Sequence, residues 1–266
     1  KPIDPHMLTN KANVFFELQR RKQALAHELQ ERTAALRVNE MFMAVLSHDL
    51  RTPLTSLTAA ATVLKRQPDA DKVGAMAERM LSSSQRMGRM IEDLLDVTRI
   101  RHAGGLALQL GPTDMQALVQ RTLDEVQTSF PDRTIESSLQ GNLSGVWDGE
   151  RLCQVVTNLV GNAVHHGSPD QPVRIRVDGT QPDTVTVAVS NGGTIAPELI
   201  PHLFNPFHGR EREPGRHQGL GLGLFIAHQI VRAHRGRIEV QSQDGTTQFS
   251  VALPRVSPST DKWATV

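Results

Sequence analysis

From Met7 to Thr52 the chain contains neither proline nor glycine. The usual helix breakers are therefore missing over a stretch that would extend about 70 Å as a single α-helix. Apolar residues within it keep a seven-residue period. Leu18, Leu25 and Leu46 share one track, with Arg32 and Asn39 at its middle positions, and Leu29, Leu36, Met43 and Leu50 form a second track four residues later. Two offset tracks of this kind describe a left-handed coiled-coil seam, and the polar middle of the first sets register at some cost in stability. Pro53 then falls inside a helical pattern that resumes at Leu54 and runs through Leu57, Ala60, Ala61 and Leu64. Proline lacks the backbone donor and crowds the preceding turn, so a kink is expected there.

Gln67-Pro68-Asp69 reads as a turn. Val73, Met76, Met80, Met87, Met90, Ile91, Leu94 and Leu95 then recur at helical spacing, until the pattern runs out near Ala103-Gly104-Gly105. Two long antiparallel amphipathic helices cannot bury their apolar faces alone, and a homodimeric four-helix bundle or a hairpin packed on the next domain would serve about equally on this pattern, the bundle being the more economical. From about Pro112 the texture changes. Helices are expected at Met115–Thr128, at Arg151–His165 and from near Leu222, with strands at Val173–Val177, Val185–Val189, Ile238–Val240 and Phe249–Leu253. The fold class is therefore multidomain, α followed by α+β. A coiled coil and helical hairpin form a dimeric four-helix bundle, and an α/β sandwich follows with helices on one face of a largely antiparallel sheet. The expected domains are a coiled-coil linker at 1–35, the hairpin at 36–104, the sandwich at 112–256 and a tail at 257–266.

Composition serves mainly to exclude. A single cysteine, Cys153, permits no internal disulfide and no cysteine-based zinc site. A net charge of +1, no Tyr and a 4% aromatic share argue against a nucleic-acid partner. No apolar run approaches membrane-spanning length and no signal-peptide layout opens the chain, so a cytoplasmic location is expected, with a membrane sensor upstream left open.

Three segments carry chemistry. In Ser47-His48-Asp49-Leu50-Arg51-Thr52-Pro53-Leu54, the Asp49 carboxylate can orient an imidazole proton and leave a neutral His48 nitrogen free to attack phosphorus. A lone His-Asp pair is far more often a surface pair. In Asn158-Leu159-Val160-Gly161-Asn162-Ala163, two amides four apart share one helical face and offer oxygens to Mg²⁺ without adding charge, although asparagines at that spacing are commonly just a polar face. Gly219-Leu220-Gly221-Leu222-Gly223-Leu224 opens a helix, where glycines let backbone approach phosphate and the free N–H groups favour an anion. It is not the G-x-G-x-x-G dinucleotide fingerprint, and no Rossmann strand precedes it.

Taken together, SHDLRTPL, RLCQVVTNLVGNAVHHG and GLGLGL resemble the boxes of sensor histidine kinases of two-component systems, in that family's order and across roughly residues 36–255. The resemblance implies a GHKL-type ATP-binding domain and His48 as phosphoacceptor, with Asp49 as general base. It gives Thr52 a role in positioning water, which leaves phosphatase activity toward the partner open. Asn162 becomes the direct Mg²⁺ ligand and Asn158 its neighbour. His165 stands where the family often has a phosphate-contacting Lys, and His166 joins the nucleotide set. Gly219, Leu220, Gly221, Leu222, Gly223 and Leu224 form the glycine box that closes a lid, HGREREPGRHQ, expected to move without nucleotide. Phe204 and Phe207 resemble the phenylalanine box beside it, with core packing as their alternative role.

The sequence departs from the family in Val189-Ser190-Asn191-Gly192-Gly193-Thr194-Ile195. Asn191 occupies the position of the adenine-binding Asp, Gly193 lies in the loop, and Thr194-Ile195 replace the second glycine region. ATP and Mg²⁺ are the implied cofactors. A second copy of the chain and a response-regulator receiver domain are the implied partners. Lys1-Pro2-Ile3-Asp4-Pro5 and the apolar residues after it resemble the end of a receiver domain, which would make Lys1 a phosphate-contacting lysine and place further chain upstream; a tag or linker is the alternative. The competing readings are another GHKL ATPase, a catalytically impaired dimeric scaffold and a phosphatase-dominant regulator. His102, His202 and His234 lack metal-ligand spacing and suit surface or helix-end roles.

Overall fold

In the computed structural model the described residues are 5–66, 70–102, 106–207 and 220–255, and many side chains of the first helix up to His48 fall outside that description. The Lys1-Pro2 motif, the Gln67–Asp69 turn, the 103–105 stop, the lid with Gly219, and the tail lie outside the described residues. The chain divides into two compact units, Lys1–Met76 and Ala77–Val266.

Helix α1 spans Pro5–Arg66 without interruption and carries Pro53 inside it. Thr55, Thr58 and Thr62 return their hydroxyls to the carbonyls of Arg51, Leu54 and Thr58, the local bonding that lets threonine persist in a helix. On its described part, Leu18, Leu25 and Leu29 are all exposed. Helix α2 runs Ala70–His102, as the second periodic stretch predicts.

The α/β lobe is built on a five-stranded sheet of order β2-β4-β5-β7-β6, from β2 (Ile135–Gly141), β4 (Val173–Gly179), β5 (Thr184–Gly192), β6 (Arg237–Gln243) and β7 (Thr246–Pro254). The β2–β4 pair is parallel and the others antiparallel. A small ribbon of β1 (Gly111–Asp114) and β3 (Ser144–Trp147) stands apart. Helices α3 (Met115–Ser129), α4 (Gly149–His166) and α5 (Gly223–Ala233) supply the helical layer. Val173, Ile175 and Val177 of β4, Val185, Val187 and Val189 of β5, and Phe249, Val251 and Leu253 of β7 are buried at alternate positions. In α4 the buried set Leu152, Val155, Val156, Leu159, Val160 and Ala163 keeps helical spacing. Strong alternation is what made these elements legible in the sequence. The three strands it did not reveal carry no run of apolar alternation long enough to read: β1 is only GPTD, β2 leaves both Ser137 and Ser138 exposed, and β3 is four residues long.

The ends of α4 and α5 are tied by one buried histidine. Asp148 caps α4 by accepting from the Arg151 N–H at 3.1 Å, and its second carboxylate oxygen accepts from the Gln109 N–H at 2.8 Å. Its own N–H donates at 3.0 Å to Nε2 of His234, the C-cap of α5. His234 Nδ1 lies 2.9 Å from the Ile230 carbonyl and must be its donor, since the carbonyl can only accept. Both ring nitrogens are satisfied in the neutral form, and burial pushes the pKa of His234 below the usual histidine value. The helix-end role expected of His234 is the one it takes.

Toward its C-terminal end α2 meets α4. Arg151 donates at 2.6 Å to Asp96, whose carboxylate also accepts from Gln154 at 3.0 Å and is buried. One turn earlier, burial first, then the charges of Asp96 and Glu92, push Asp93 up from 3.8 to about 7, against an opposite pull from Arg89. A carboxyl whose folded pKa is raised binds more protons in the folded than in the unfolded chain between those two values. Its contribution to stability is therefore lost as pH rises through about 7. Asp93→Asn is expected to stabilise the chain at pH 8 by about 2 kcal/mol and to leave it unchanged near pH 4. Urea unfolding of both proteins at the two pH values measures this.

Candidate functional site

Asn158 and Asn162 lie one turn apart on α4, both half-buried. The Asn158 Nδ2 donates to the Gly223 carbonyl at 3.1 Å. A carbonyl cannot donate, so the amide nitrogen must face it, and Oδ1 is the atom left for a ligand. Gly223 admits this approach because a Cβ there would stand 3.3 Å from Asn158 Cγ and Oδ1, tighter than most side-chain contacts. Asn162 makes no side-chain hydrogen bond among the described residues. Neutral amide oxygens are hard donors that suit Mg²⁺, which keeps most of its shell as water and phosphate oxygen. The donor set fits the ion.

The glycine box meets the asparagines through this bond. Leu220 and Leu222 are buried and root the segment, while Gly221 takes φ 69° and Leu222 caps α5. Among the described residues no side chain caps helix α5, so its first N–H groups can face an anion. Leu224 is half-buried on its first turn. Phe207, buried and itself at φ 65°, donates its N–H to the Gly221 carbonyl at 3.1 Å. Residues 207 and 221 thus form one neck from which the lid segment leaves and returns. Phe204 stacks on His228 with centroids 5.1 Å apart and meets Phe249 edge-on at 6.4 Å. Both phenylalanines are packed residues, and through Phe207 that packing anchors the neck.

Asn191 lies beside the end of α4. Its position on β5 continues the inward series Val185, Val187, Val189, and it is buried at 7% exposure. Its Nδ2 donates to the Gly192 carbonyl at 2.9 Å, which by the same reasoning leaves Oδ1 as the free acceptor. Gly167, at the end of α4, makes room: a Cβ there would lie 2.9 Å from the Asn191 Cβ. Gly193 follows at φ 117°, a conformation that favours glycine. Ser190 belongs to the opposite sheet face, so Asn191 and not its neighbour holds the inward position.

His165 is exposed. Its Nδ1 is engaged with the Gly161 carbonyl at 2.6 Å and its ring lies edge-on to Phe130 at 5.3 Å, leaving Nε2 as the nitrogen open to a phosphate. His166 is exposed beside it. In the first unit, His48 lies within α1 with its side chain outside the described residues, Asp49 is half-exposed and Thr52 exposed on the next turn. The structure thus gathers Asn158, the glycine box and the neck of the lid, and it places Asn191 beside the end of α4. The neck contact between Phe207 and Gly221 carried no sequence signal, because two positive-φ residues on either side of a loop have no periodicity.

Comparison with known proteins identifies both halves. Residues 147–257 match the family model described as histidine kinase-, DNA gyrase B- and HSP90-like ATPase, and residues 38–103 match the His Kinase A (phospho-acceptor) domain. Among curated proteins, the bacteriophytochrome of Pseudomonas aeruginosa is 34% identical over 82% of this chain and 30% of its own length. Sensor protein VanSC of Enterococcus gallinarum is 30% identical over 89% of the chain and 66% of its own length. The probable sensor histidine kinase TcrY of Mycobacterium tuberculosis is 33% identical over 89% and 50%. The chain therefore spans from about a third to two thirds of the length of these relatives. Two solved structures share the fold. Acinetobacter baumannii histidine kinase AdeS has a TM-score of 0.60 and 22% identity, covering 78% of this chain and 98% of its own. Histidine kinase ThkA in complex with response regulator protein TrrA has a TM-score of 0.61 and 21% identity, covering 85% and 64%. No helix among the described residues is long and apolar enough to cross a membrane.

Proposed function

Because the chain belongs to the sensor histidine kinases of two-component systems, we propose that it transfers the γ-phosphoryl group of ATP to its own His48 and then to a response-regulator aspartate. The observation that carries this reading is the bond from Asn158 to Gly223, which joins the asparagine box to the glycine box and leaves the Asn158 carbonyl oxygen as the atom for a ligand. The base would meet Asn191 Oδ1, and the phosphates would meet the N-terminus of α5, with His165 Nε2 and His166 at hand. Asn162, with Asn158 beside it, would hold Mg²⁺, which would offset phosphate charge. Asp49 would hold the His48 proton so that the free imidazole nitrogen attacks in line, and Thr52 would lie on the same exposed shoulder. Positioning and charge compensation account for most of the acceleration in such transfers.

A second copy of the chain is the expected partner in the bundle, supported by the exposed Leu18, Leu25 and Leu29 on the heptad tracks of α1. A response regulator, through its receiver domain, is the second proposed partner, a reading supported by the structure of ThkA in complex with response regulator protein TrrA. The domains that perform these steps are the hairpin at 36–104 and the lobe at 112–256, in the cytoplasm where ATP is supplied. No observation favours the scaffold or the phosphatase-dominant reading. The test is incubation of the purified chain with γ-labelled ATP and Mg²⁺; acid-labile, alkali-stable label on the protein is expected, and its absence with nucleotide bound would refute the kinase reading.

Asn191 allows a finer prediction. A carboxylate accepting the adenine amine makes a charge-assisted bond, worth about 1 kcal/mol more than the neutral amide provides. Asn191→Asp is expected to tighten ADP binding roughly fivefold by titration calorimetry. The same change sets a carboxylate against the Gly192 carbonyl, so the unfolding midpoint should fall while affinity rises.

A further inference from the structure

The loop that follows Asn191 has lost the family's second glycine region to Thr194-Ile195, and what holds it in shape is a pair of hydroxyls from the β6–β7 hairpin. Ser242 Oγ accepts from the Ile195 N–H at 2.7 Å. Ser242 and Thr247 hydroxyls lie 2.8 Å apart. Thr247 donates to the Gly193 carbonyl at 2.9 Å. The two ends decide the direction of every proton. The Ile195 N–H can only donate and the Gly193 carbonyl can only accept, so Ser242 must donate to Thr247 and Thr247 to Gly193. Each hydroxyl both accepts and donates, which makes the chain a cooperative unit. A fourth bond, from the Gly193 N–H to the Gly245 carbonyl at 2.8 Å, fastens the same loop to the tip of the hairpin.

Thr247 is out of place by packing alone. It continues the inward row of β7, where Phe249, Val251 and Leu253 follow, and it is 3% exposed. Valine has the same shape and suits a buried strand position better, unless the hydroxyl is needed. Among the described residues, the groups that use it are Ser242 and the loop next to the base-binding residue.

We propose that Ser242 and Thr247 are positioning residues for nucleotide binding, a hydroxyl relay that holds Gly193–Ile195, and through it Asn191, in the geometry the base requires. The proposal rests on the reading of Asn191 as the base acceptor. ADP affinity and the unfolding midpoint are to be measured on the whole chain for the parent, Thr247→Val, Thr247→Ser, Ser242→Ala and the double variant Ser242→Ala/Thr247→Val. Thr247→Val should weaken ADP binding about tenfold, the equivalent of one buried hydrogen bond. Thr247→Ser should stay within about twofold of the parent, and the double variant should bind no more weakly than Thr247→Val, since one break disables the relay. Thr247→Val binding as tightly as the parent, or Thr247→Ser losing as much as Thr247→Val, overturns the proposal by assigning Thr247 to packing. If Thr247→Val does not fold, Ser242→Ala at its half-exposed position decides the matter, and unchanged affinity there overturns the relay. A parent that binds no ADP refutes the nucleotide reading itself, an outcome distinct from a failure of the relay.

Discussion

His48→Gln is expected to abolish acid-labile phosphorylation completely while leaving nucleotide binding within about twofold of the parent. Glutamine matches histidine in bulk and forms helix more readily, so α1 should persist through residue 48. Its amide nitrogen has no lone pair available for attack on phosphorus, because resonance draws that pair into the carbonyl. The imidazole of histidine does have one, provided its proton sits on the other nitrogen. The nucleotide residues, Asn158, Asn162, Asn191 and the glycine box, all belong to the second compact unit, whereas His48 belongs to the first. Loss of binding and loss of transfer can thus be separated by one substitution. Retention of acid-labile label in the variant would move the acceptor to another histidine and break the link between the α1 motif and the chemistry.

The second large effect concerns Asn162. Asn162→Ala is expected to lower the rate of autophosphorylation roughly a hundredfold or more, since metal charge supplies several kcal/mol to a phosphoryl transfer. The same variant should bind ADP in the absence of Mg²⁺ about as well as the parent, and should lose the tightening that Mg²⁺ gives the parent. That pattern separates a metal ligand from a packing residue. Asn162 is half-buried and makes no side-chain hydrogen bond among the described residues, so alanine leaves no buried partner stranded. Asn158 would be a poorer test of the metal, since its amide also holds Gly223 and its loss would loosen the glycine box. A rate within threefold of the parent would remove Asn162 from the metal shell.

The surroundings of Asp93 and Asp96 are announced by no periodicity or motif. Both lie in a stretch of α2 whose sequence, IEDLLDVTRI, reads as an ordinary amphipathic helix with a charged outer face. Asp96 is instead buried against Arg151 and Gln154 of α4, which follow it by more than fifty residues. A charged pair formed across that separation has no local signature. Cys153 is similar: the sequence excluded a disulfide, and the fold sets its thiol 3.2 Å from both the Arg121 guanidinium and the Thr122 hydroxyl.

What the sequence determined by itself were the elements whose side chains alternate or recur strongly, and the residues whose chemistry is read in short strings. The long breaker-free stretch became one helix, α3 matched its expected span to within a residue, and the inward rows of β4, β5 and β7 followed their apolar alternation. The asparagine and glycine boxes were also legible, because a helix fixes the angle between residues four apart and a helix start fixes where its free N–H groups lie. Only the tertiary structure decided which amide face of Asn158 is free, since that depends on a carbonyl brought in from Gly223. It alone paired β2 with β4 in parallel, closed the neck between Phe207 and Gly221, and set Ser242 and Thr247 under the loop after Asn191. Each of these is a contact between distant parts of the chain through groups every residue carries or through small hydroxyls, and such groups leave no pattern along the sequence until the fold brings them together.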